Sequence, residues 1–306
     1  MWSSMEEKLD NRNRVDVGGQ AIIEGVMMRS PRRLAIAVRK PRGDIVLKSF
    51  ETVPPWRKHK FLSLPVIRGV VNLVDSLAVG LRALSYSATV ALEEEDEKLT
   101  TFDITIAMLL AVGLFAGLFI ALPTFLTSFL DRFIGSTFVY NLVEGLIRVL
   151  IFIVYLLVIS SIKDIRRIFE YHGAEHKAIF TFEHGEELTP ENALKFTTLH
   201  PRCGTNWLVI VMLISIFVFS LLGRPGVLTR IVSRILIIPL IAGLAYEAIK
   251  FLSRYQDKKI AYYFSLPGLW LQKITTREPD VSQLEVAIVA LKESLRKGED
   301  YVEVKG

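Results

Sequence analysis

The residues best equipped for chemistry fall in one stretch, Glu170 to Thr205, which reads EYHGAEHKAIFTFEHGEELTPENALKFTTLHPRCGT. It holds four of the chain's five histidines (His172, His176, His184 and His200) and its only cysteine, Cys203. His172-Gly-Ala-Glu175-His176 has the H-x-x-E-H spacing, which on a helix puts two imidazoles one turn apart on one face with a carboxylate beside them. Such a pair can ligate one divalent metal, zinc being the natural choice, and Glu175 can then act as general base on an activated water. His200 and Cys203, on a turn made by Pro201 and Gly204, form a second pair. If all four side chains bind, the shell is closed and the metal is structural. If three bind, one position stays open and a hydrolase results. In a third arrangement there is no metal, and the histidines only form hydrogen bonds at an interface. His184 is expected to be exposed among Glu183, Glu186 and Glu187, and His59, in WRKHKF, to join a basic interfacial patch.

The rest of the chain must position this stretch, and its composition points to a membrane. The 306 residues are 51% hydrophobic, with a mean hydropathy of +0.38. Four apolar runs, at 104–126, 138–162, 207–222 and 227–252, each approach the ~20 residues that a bilayer core requires. Pro123 and Pro239 are expected to kink or end the first and fourth. The net charge of +5 comes from 37 basic and 32 acidic residues, a mixed balance that argues against nucleic acid and fits a positive-inside bias. Lys163, Arg166, Arg167, Lys177, Lys195 and Arg202 load the central segment 163–205, and both terminal regions are basic. The reading is a multi-pass protein of the cytoplasmic membrane with both termini and the histidine-rich segment in the cytoplasm; Arg230 and Arg234 count mildly against it. A single cysteine allows no intramolecular disulfide. The polar opening, MWSSMEEKLDNRNRVDV, lacks an apolar core, so insertion is expected to rely on internal helices.

Charged residues within spans need partners. Glu144 and Arg148 are i, i+4 on the second span. Glu144 and Arg234 lie at matching depths, about 9 and 10 Å inside their helix ends at 1.5 Å per residue, which predicts an interhelical ion pair that fixes register. The second span is expected to continue as one helix into the histidine-rich stretch.

Before the spans, three short β-branched runs (21–29, 34–39 and 45–51) punctuated by Pro31 and Pro41-Arg-Gly43-Asp44 predict a small antiparallel sheet. Glu24, inside IIEGVMM, is either an outward-facing strand residue or a buried carboxylate facing the histidines. Residues 61–92 repeat apolar side chains at helical spacing with Arg68, Asn72, Asp75 and Arg82 on a narrow stripe, as in an interfacial helix. The acidic run 93–97 reads as a solvated linker. After the spans, Trp270 in LPGLWLQ is expected to anchor an apolar turn at the interface. Asp280 is expected to cap a helix whose apolar face packs on the sheet. Glu247, with Tyr246 and Lys250, reaches the level of the histidines, and Arg277 is a possible anion contact.

GGQAIIEGVMMRSP, YHGAEHKA, HPRCGTNW and PGLWLQKITTREPD together resemble, in this order, the signatures of the YqhQ-like family of bacterial polytopic membrane proteins. The resemblance spans nearly the whole chain. It implies a membrane fold and, through the family's label as predicted metal-dependent enzymes, a metal.

The expected architecture is therefore an α-helical membrane protein of about four transmembrane helices, with a small cytoplasmic α+β portion formed by the N- and C-terminal regions. Residues 1–60 form the β region, and 61–98 the interfacial helix and acidic linker. Residues 99–253 form the transmembrane region with its segment 163–205, and 254–306 the C-terminal tail and helix. The lipid bilayer is the first partner, with a membrane protein or peptide, or a second copy of the chain, as further ones. Three functions are compatible: a metal-dependent hydrolase acting on a membrane-associated substrate; a scaffold or biogenesis factor for membrane proteins, with a structural metal or none; and, last, a transporter, for which there is no internal repeat.

Overall fold

The computed structural model describes residues 17–52, 60–91, 101–253 and 259–296. The His59 patch and the acidic run 93–97 lie outside them.

Four strands, β1 (Gly18–Ile22), β2 (Gly25–Arg29), β3 (Arg33–Arg39) and β4 (Ile45–Glu51), form an antiparallel sheet in chain order. The run at 21–29 is thus two strands. A two-residue turn at Ile23-Glu24 divides it, with Glu24 in the left-handed region at φ 50°. Both faces of the sheet are covered. On one side Val26, Met28 and Ala37 pack with Tyr171, Ala174, Leu284, Ala287 and Leu291. On the other, Ile22, Ile36 and Val38 pack with Ala83 and Val90.

These covering side chains come from three helices, α1 (Ile67–Ala91), α5 (Lys163–Glu183) and α10 (Val281–Leu295). The apolar part begins with α2 (Thr101–Ala116), a π-helical turn (Gly117–Ala121) and α3 (Leu122–Ser128). It continues with α4 (Thr137–Ser160), then α5 (Lys163–Glu183), the short α6 (Pro190–Leu194), α7 (Gly204–Ser220) and α8 (Val227–Ser253). The chain closes with α9 (Lys259–Thr275) and α10 (Val281–Leu295).

Among the described residues, three stretches are long and apolar enough to cross a membrane: Thr105–Ser128, Thr137–Ser160 and Val227–Leu252. The third expected span, at 207–222, falls on α7, which has 17 residues. At 1.5 Å per residue that is about 25 Å, short of the ~30 Å hydrocarbon core. Neither proline ends its helix. Pro123 follows the π turn at the start of α3, and Pro239 lies inside α8.

Three further expectations are corrected. The second span does not run on into the histidine-rich stretch: Ile162 is extended, with ψ 129°, and α5 starts afresh at Lys163. The break frees α5 to leave the direction of α4 and lie on β1, β2 and α10. The α+β portion therefore includes the central segment as well as the terminal regions. LPGLWLQ is not a turn either; α9 runs through it with Pro267 inside and packs on α7, which supplies the contact that holds an otherwise unfavourable helix together. Asp280 caps α10 in a reciprocal capping box with Gln283, and α10 packs across β2 and β3.

Candidate metal centre

His172 and His176 lie on one face of α5 with ring centroids 4.4 Å apart. Each is fixed by a backbone carbonyl from a different part of the chain. His172 Nδ1–H donates to the Thr275 carbonyl at the end of α9, at 2.8 Å. His176 Nδ1–H donates to the Thr198 carbonyl, at 2.5 Å. A carbonyl can only accept, so the proton of each neutral ring sits on Nδ1 and the lone pair is on Nε2. His172 Nε2 is 3.2 Å from Cys203 Sγ, and His176 Nε2 is buried without a hydrogen-bond partner. One ligand atom from each of His172, His176 and Cys203 lies within 4.8 Å of the others.

The surrounding chain explains why this geometry forms. Gly173 lets the segment after α9 lie directly on α5, because a Cβ there would run into the Arg277 carbonyl oxygen. Arg277 N–H donates to the Phe169 carbonyl (2.9 Å), which holds Thr275 in place over His172. The buried side chain of Gln272 pairs with both backbone groups of His200, accepting from its N–H (2.7 Å) and donating to its carbonyl (2.8 Å). That double contact ties the loop carrying Thr198 and Cys203 to α9. Cys203 is also the N-cap of α7, and its sulfur accepts from the Thr205 hydroxyl (3.3 Å) and N–H (3.5 Å). Burial alone would raise the thiol's pKa, but the contacts with His176 and Thr205 outweigh it and the net direction is down, toward the ligating thiolate.

Glu175 is buried next to this cluster, with its carboxyl against the backbone of Gly19 on β1. A Cβ on residue 19 would lie 2.8 Å from the carboxyl carbon. Burial pushes Glu175 up to about 7, against the opposing pull of His172 and the Gly19 N–H. The His176 imidazole is pushed down by burial, which keeps it neutral and able to donate a lone pair.

His200 is not part of the convergent set. Its Nδ1 accepts from the Arg202 N–H (3.2 Å), and its Nε2–H points to Glu183 Oε2 (3.3 Å), so neither nitrogen has a free lone pair. Burial lowers its pKa to about 4. A closed four-ligand shell is not what this geometry forms.

The remaining expected residues lie elsewhere. Glu24 sits on its turn and is engaged by Arg167 of α5 in a bidentate contact, with the Tyr171 hydroxyl at 3.3 Å. Glu247 takes two contacts from Arg68 and one from the Val66 N–H (3.3 Å). Arg277 contributes through its backbone, and its buried Nε has no hydrogen-bond partner. Glu144 is 2.8 Å from Arg148 and 2.9 Å from Arg234, at the far end of the apolar helices. Sequence reasoning missed Gln272, Gly173 and the two clamping carbonyls. The only signal for them was a glutamine in an otherwise apolar run, since a carbonyl leaves no mark on residue type.

A family model described as "Protein of unknown function (DUF1385)" matches residues 64–297, most of the chain and all three ligand candidates. The chain belongs to the DUF1385 family. Over 297 residues it is 29% identical to the uncharacterized protein YqhQ of Bacillus subtilis (strain 168), covering 91% of this chain and 92% of that one. No solved structure matches the chain. Family membership thus carries no activity with it, and the function has to be argued from the site.

Proposed function

We propose that this DUF1385 protein is a multi-pass membrane protein that holds one zinc-like divalent ion through His172, His176 and Cys203 at the cytoplasmic face of the membrane. The reading rests on one observation above all: both imidazoles have their Nδ1 protons committed to carbonyls, which leaves two Nε2 lone pairs facing one sulfur. That is the outer-shell arrangement metal-ligating histidines use to fix tautomer and orientation. The orientation follows from the basic residues of α5 and its flanking loop, which favour the cytoplasmic side.

Three protein ligands leave a coordination position open, and a metal there supplies Lewis-acid activation of water. Glu175 is the proton acceptor in this reading. Its carboxyl is held by the Gly19 N–H beside His172 and Cys203, and burial brings its proton affinity close to neutrality. The substrate class is a membrane-associated ester or amide.

A second reading, a scaffold pinned by a structural metal, is favoured by how much the centre ties together. It links α5, the loop before α7, the end of α9 and, through Glu175, strand β1. Metal analysis of purified protein separates metal from no metal: we expect about one ion per chain in the wild type, lost in His176→Ala and Cys203→Ser. A wild type without stoichiometric metal ends both readings. Glu175→Gln then separates them. Metal retained with hydrolysis of a membrane-associated substrate panel lost supports the enzyme; metal retained with full function in cells supports the scaffold.

A further inference from the structure

The apolar helices carry a second buried polar cluster at the end opposite Cys203. Along α7, 17 residues separate the two, about 25 Å at the helical rise. Here Arg148, Arg224, Arg230 and Arg234 meet Glu144 and Asp131. Glu144 lies 2.8 Å from Arg148, 2.9 Å from Arg234 and 4.0 Å from Arg230, and Asp131 lies 2.7 Å from Arg224. The Arg224–Asp131 pair lies at the rim, with the Asp131 side chain 58% exposed. Among the described buried residues, three guanidinium groups against the single carboxylate of Glu144 leave an excess of two positive charges. Such an excess is costly in an apolar setting unless something offsets it.

The spare donors point to what would offset it. Arg234 is only 2% exposed, yet its Nε and Nη1 have no hydrogen-bond partner, and neither does the Nε of Arg224. On the acceptor side only Glu144 Oε2 is without a hydrogen bond among the described buried residues of the cluster, and it is ion-paired with Arg234 Nη2 at 2.9 Å. Arg224, Arg230, Ser233 and Arg234 line a pocket of about 430 Å³. Aromatic rings hold the guanidinium planes: Arg224 and Arg230 lie 3.9 and 4.9 Å from the centroid of Tyr140, and Arg234 lies 5.0 Å from that of Phe219. Asn141 accepts from Arg234 (3.0 Å) and the Tyr140 hydroxyl from Arg230 (2.5 Å). The faces of the guanidinium groups are thus occupied and part of their N–H edges is left over. Planar N–H forks on fixed planes suit a tetrahedral oxyanion. A structural ion pair that only set helix register would need one arginine for Glu144, not three.

We propose that this pocket binds an anionic phosphate group, carried either by a lipid head group or by a soluble phosphate ester. The residues that take it are Arg234, through its unpartnered Nε and Nη1, and Arg230, with Arg224 and Ser233 at the rim. The Nε of Arg230 donates to the Pro225 carbonyl (3.2 Å) and its Nη1 to Tyr140, so that it offers its charge and Nη2.

The test uses the full chain in neutral detergent, with its thermal midpoint followed at fixed ionic strength. The probes are dihexanoyl phosphatidic acid, dihexanoyl phosphatidylcholine and inorganic phosphate. A ligand that binds only the folded chain raises the midpoint in a saturable way. The expected result is saturable protection by phosphatidic acid and not by phosphatidylcholine. Protection by inorganic phosphate as well identifies a soluble phosphate ester as ligand, and protection by the lipid alone identifies a head group; both results uphold the site. Arg230→Gln should weaken the protecting ligand roughly tenfold or more, through the loss of one charge-assisted hydrogen bond. Arg230→Lys, which keeps the charge but loses the planar guanidinium held over Tyr140, should fall between that variant and the wild type. Arg230 is chosen because its contact with Glu144 is the longest of the three, so the fold survives its loss better than that of Arg234. Cys203→Ser should leave the protection unchanged. The proposal is overturned if none of the three probes protects, or if Arg230→Gln and Arg230→Lys are protected as well as the wild type.

Discussion

The two ends of the apolar helices hold buried polar clusters of opposite chemistry. At the Cys203 end, the donors are spent outward: both imidazole protons go to carbonyls, and lone pairs face one another across a small space. At the Glu144 end, one buried carboxylate faces three arginines, and N–H groups of Arg224 and Arg234 have no hydrogen-bond partner. The first arrangement is unfavourable until a cation enters, the second until an anion does. The shared lesson is that the surplus in a buried cluster, whether lone pairs or N–H groups, states the sign of the missing partner more directly than the residue types do.

The comparison breaks most easily at the metal end. His176→Ala or Cys203→Ser leaves two ligands and is expected to abolish stoichiometric metal in the purified protein, as elemental analysis would read directly. Loss of metal should not alter the response to anionic phosphate. If it did, the two clusters would be one coupled system and not two sites.

At the other end, the single carboxylate that faces three arginines carries the next largest effect. Glu144→Gln leaves those guanidinium groups without their shared counter-charge, and removing one partner of a buried pair costs on the order of 3–5 kcal/mol. A large fall in thermal midpoint is expected, with metal content unchanged. Bound anionic phosphate should restore part of the loss, because it replaces the missing charge. A midpoint within a degree or two of the wild type would mean the arginines are already compensated by water or lipid.

A smaller and sharper test is Gly173→Ala. The added Cβ would meet the Arg277 carbonyl and push the 275–277 segment away from α5. His172 would keep its place on the helix but lose the acceptor that fixes its tautomer. Loss of such an outer-shell partner typically weakens a metal about 10- to 100-fold, so competition with a chelator should show a drop of that size while the ligands themselves are intact. Unchanged affinity would show that the Thr275 carbonyl does not orient His172.

How much of this was legible in the sequence differs between the two clusters for a physical reason. The histidine pair was readable because a helix turns i and i+4 to one face, and Cys203 because a lone cysteine beside a histidine is rare enough to notice. The exclusion of His200 was not readable: it depends on the Arg202 N–H and Glu183 taking its two nitrogens, a matter of local loop geometry. The Glu144–Arg234 proximity followed from matching depths on two straight helices. The crowding of Arg224 and Arg230 around Tyr140 did not, because it depends on how the loop between α7 and α8 folds back. In the fold, strand periodicity located the sheet but hid the Ile23-Glu24 turn, since nothing in IIEGVMM marks a left-handed residue. The helix through Pro267 was hidden for a related reason: tertiary contact with α7 overrides a local breaker.

The smallest effect expected is at the N-cap of α10, where stability of the α+β portion can be lowered without touching either cluster's ligands. Asp280 accepts from the Gln283 N–H (2.8 Å) and from Ser282 Oγ (2.6 Å), and Gln283 returns a contact to the Asp280 N–H (2.9 Å). Partial burial acts to raise its carboxyl pKa, but Ser282, Gln283 and Arg167 outweigh it, so the net direction is down. A depressed carboxylate contributes stability above its unfolded value near 4 and loses it as pH falls through the lower folded value. Asp280→Ala should therefore cost about 1 kcal/mol at neutral pH and progressively less in acid. Asp280→Asn keeps a capping oxygen but has no charge to titrate, so its deficit should be smaller and its pH dependence flatter. Metal content and phosphate protection should stay at wild-type levels in both. If instead the cap variants lost metal, the ligand geometry would depend on the packing of α10 against α5, and the metal centre would be a readout of the whole α+β portion, not of the two clamping carbonyls around it.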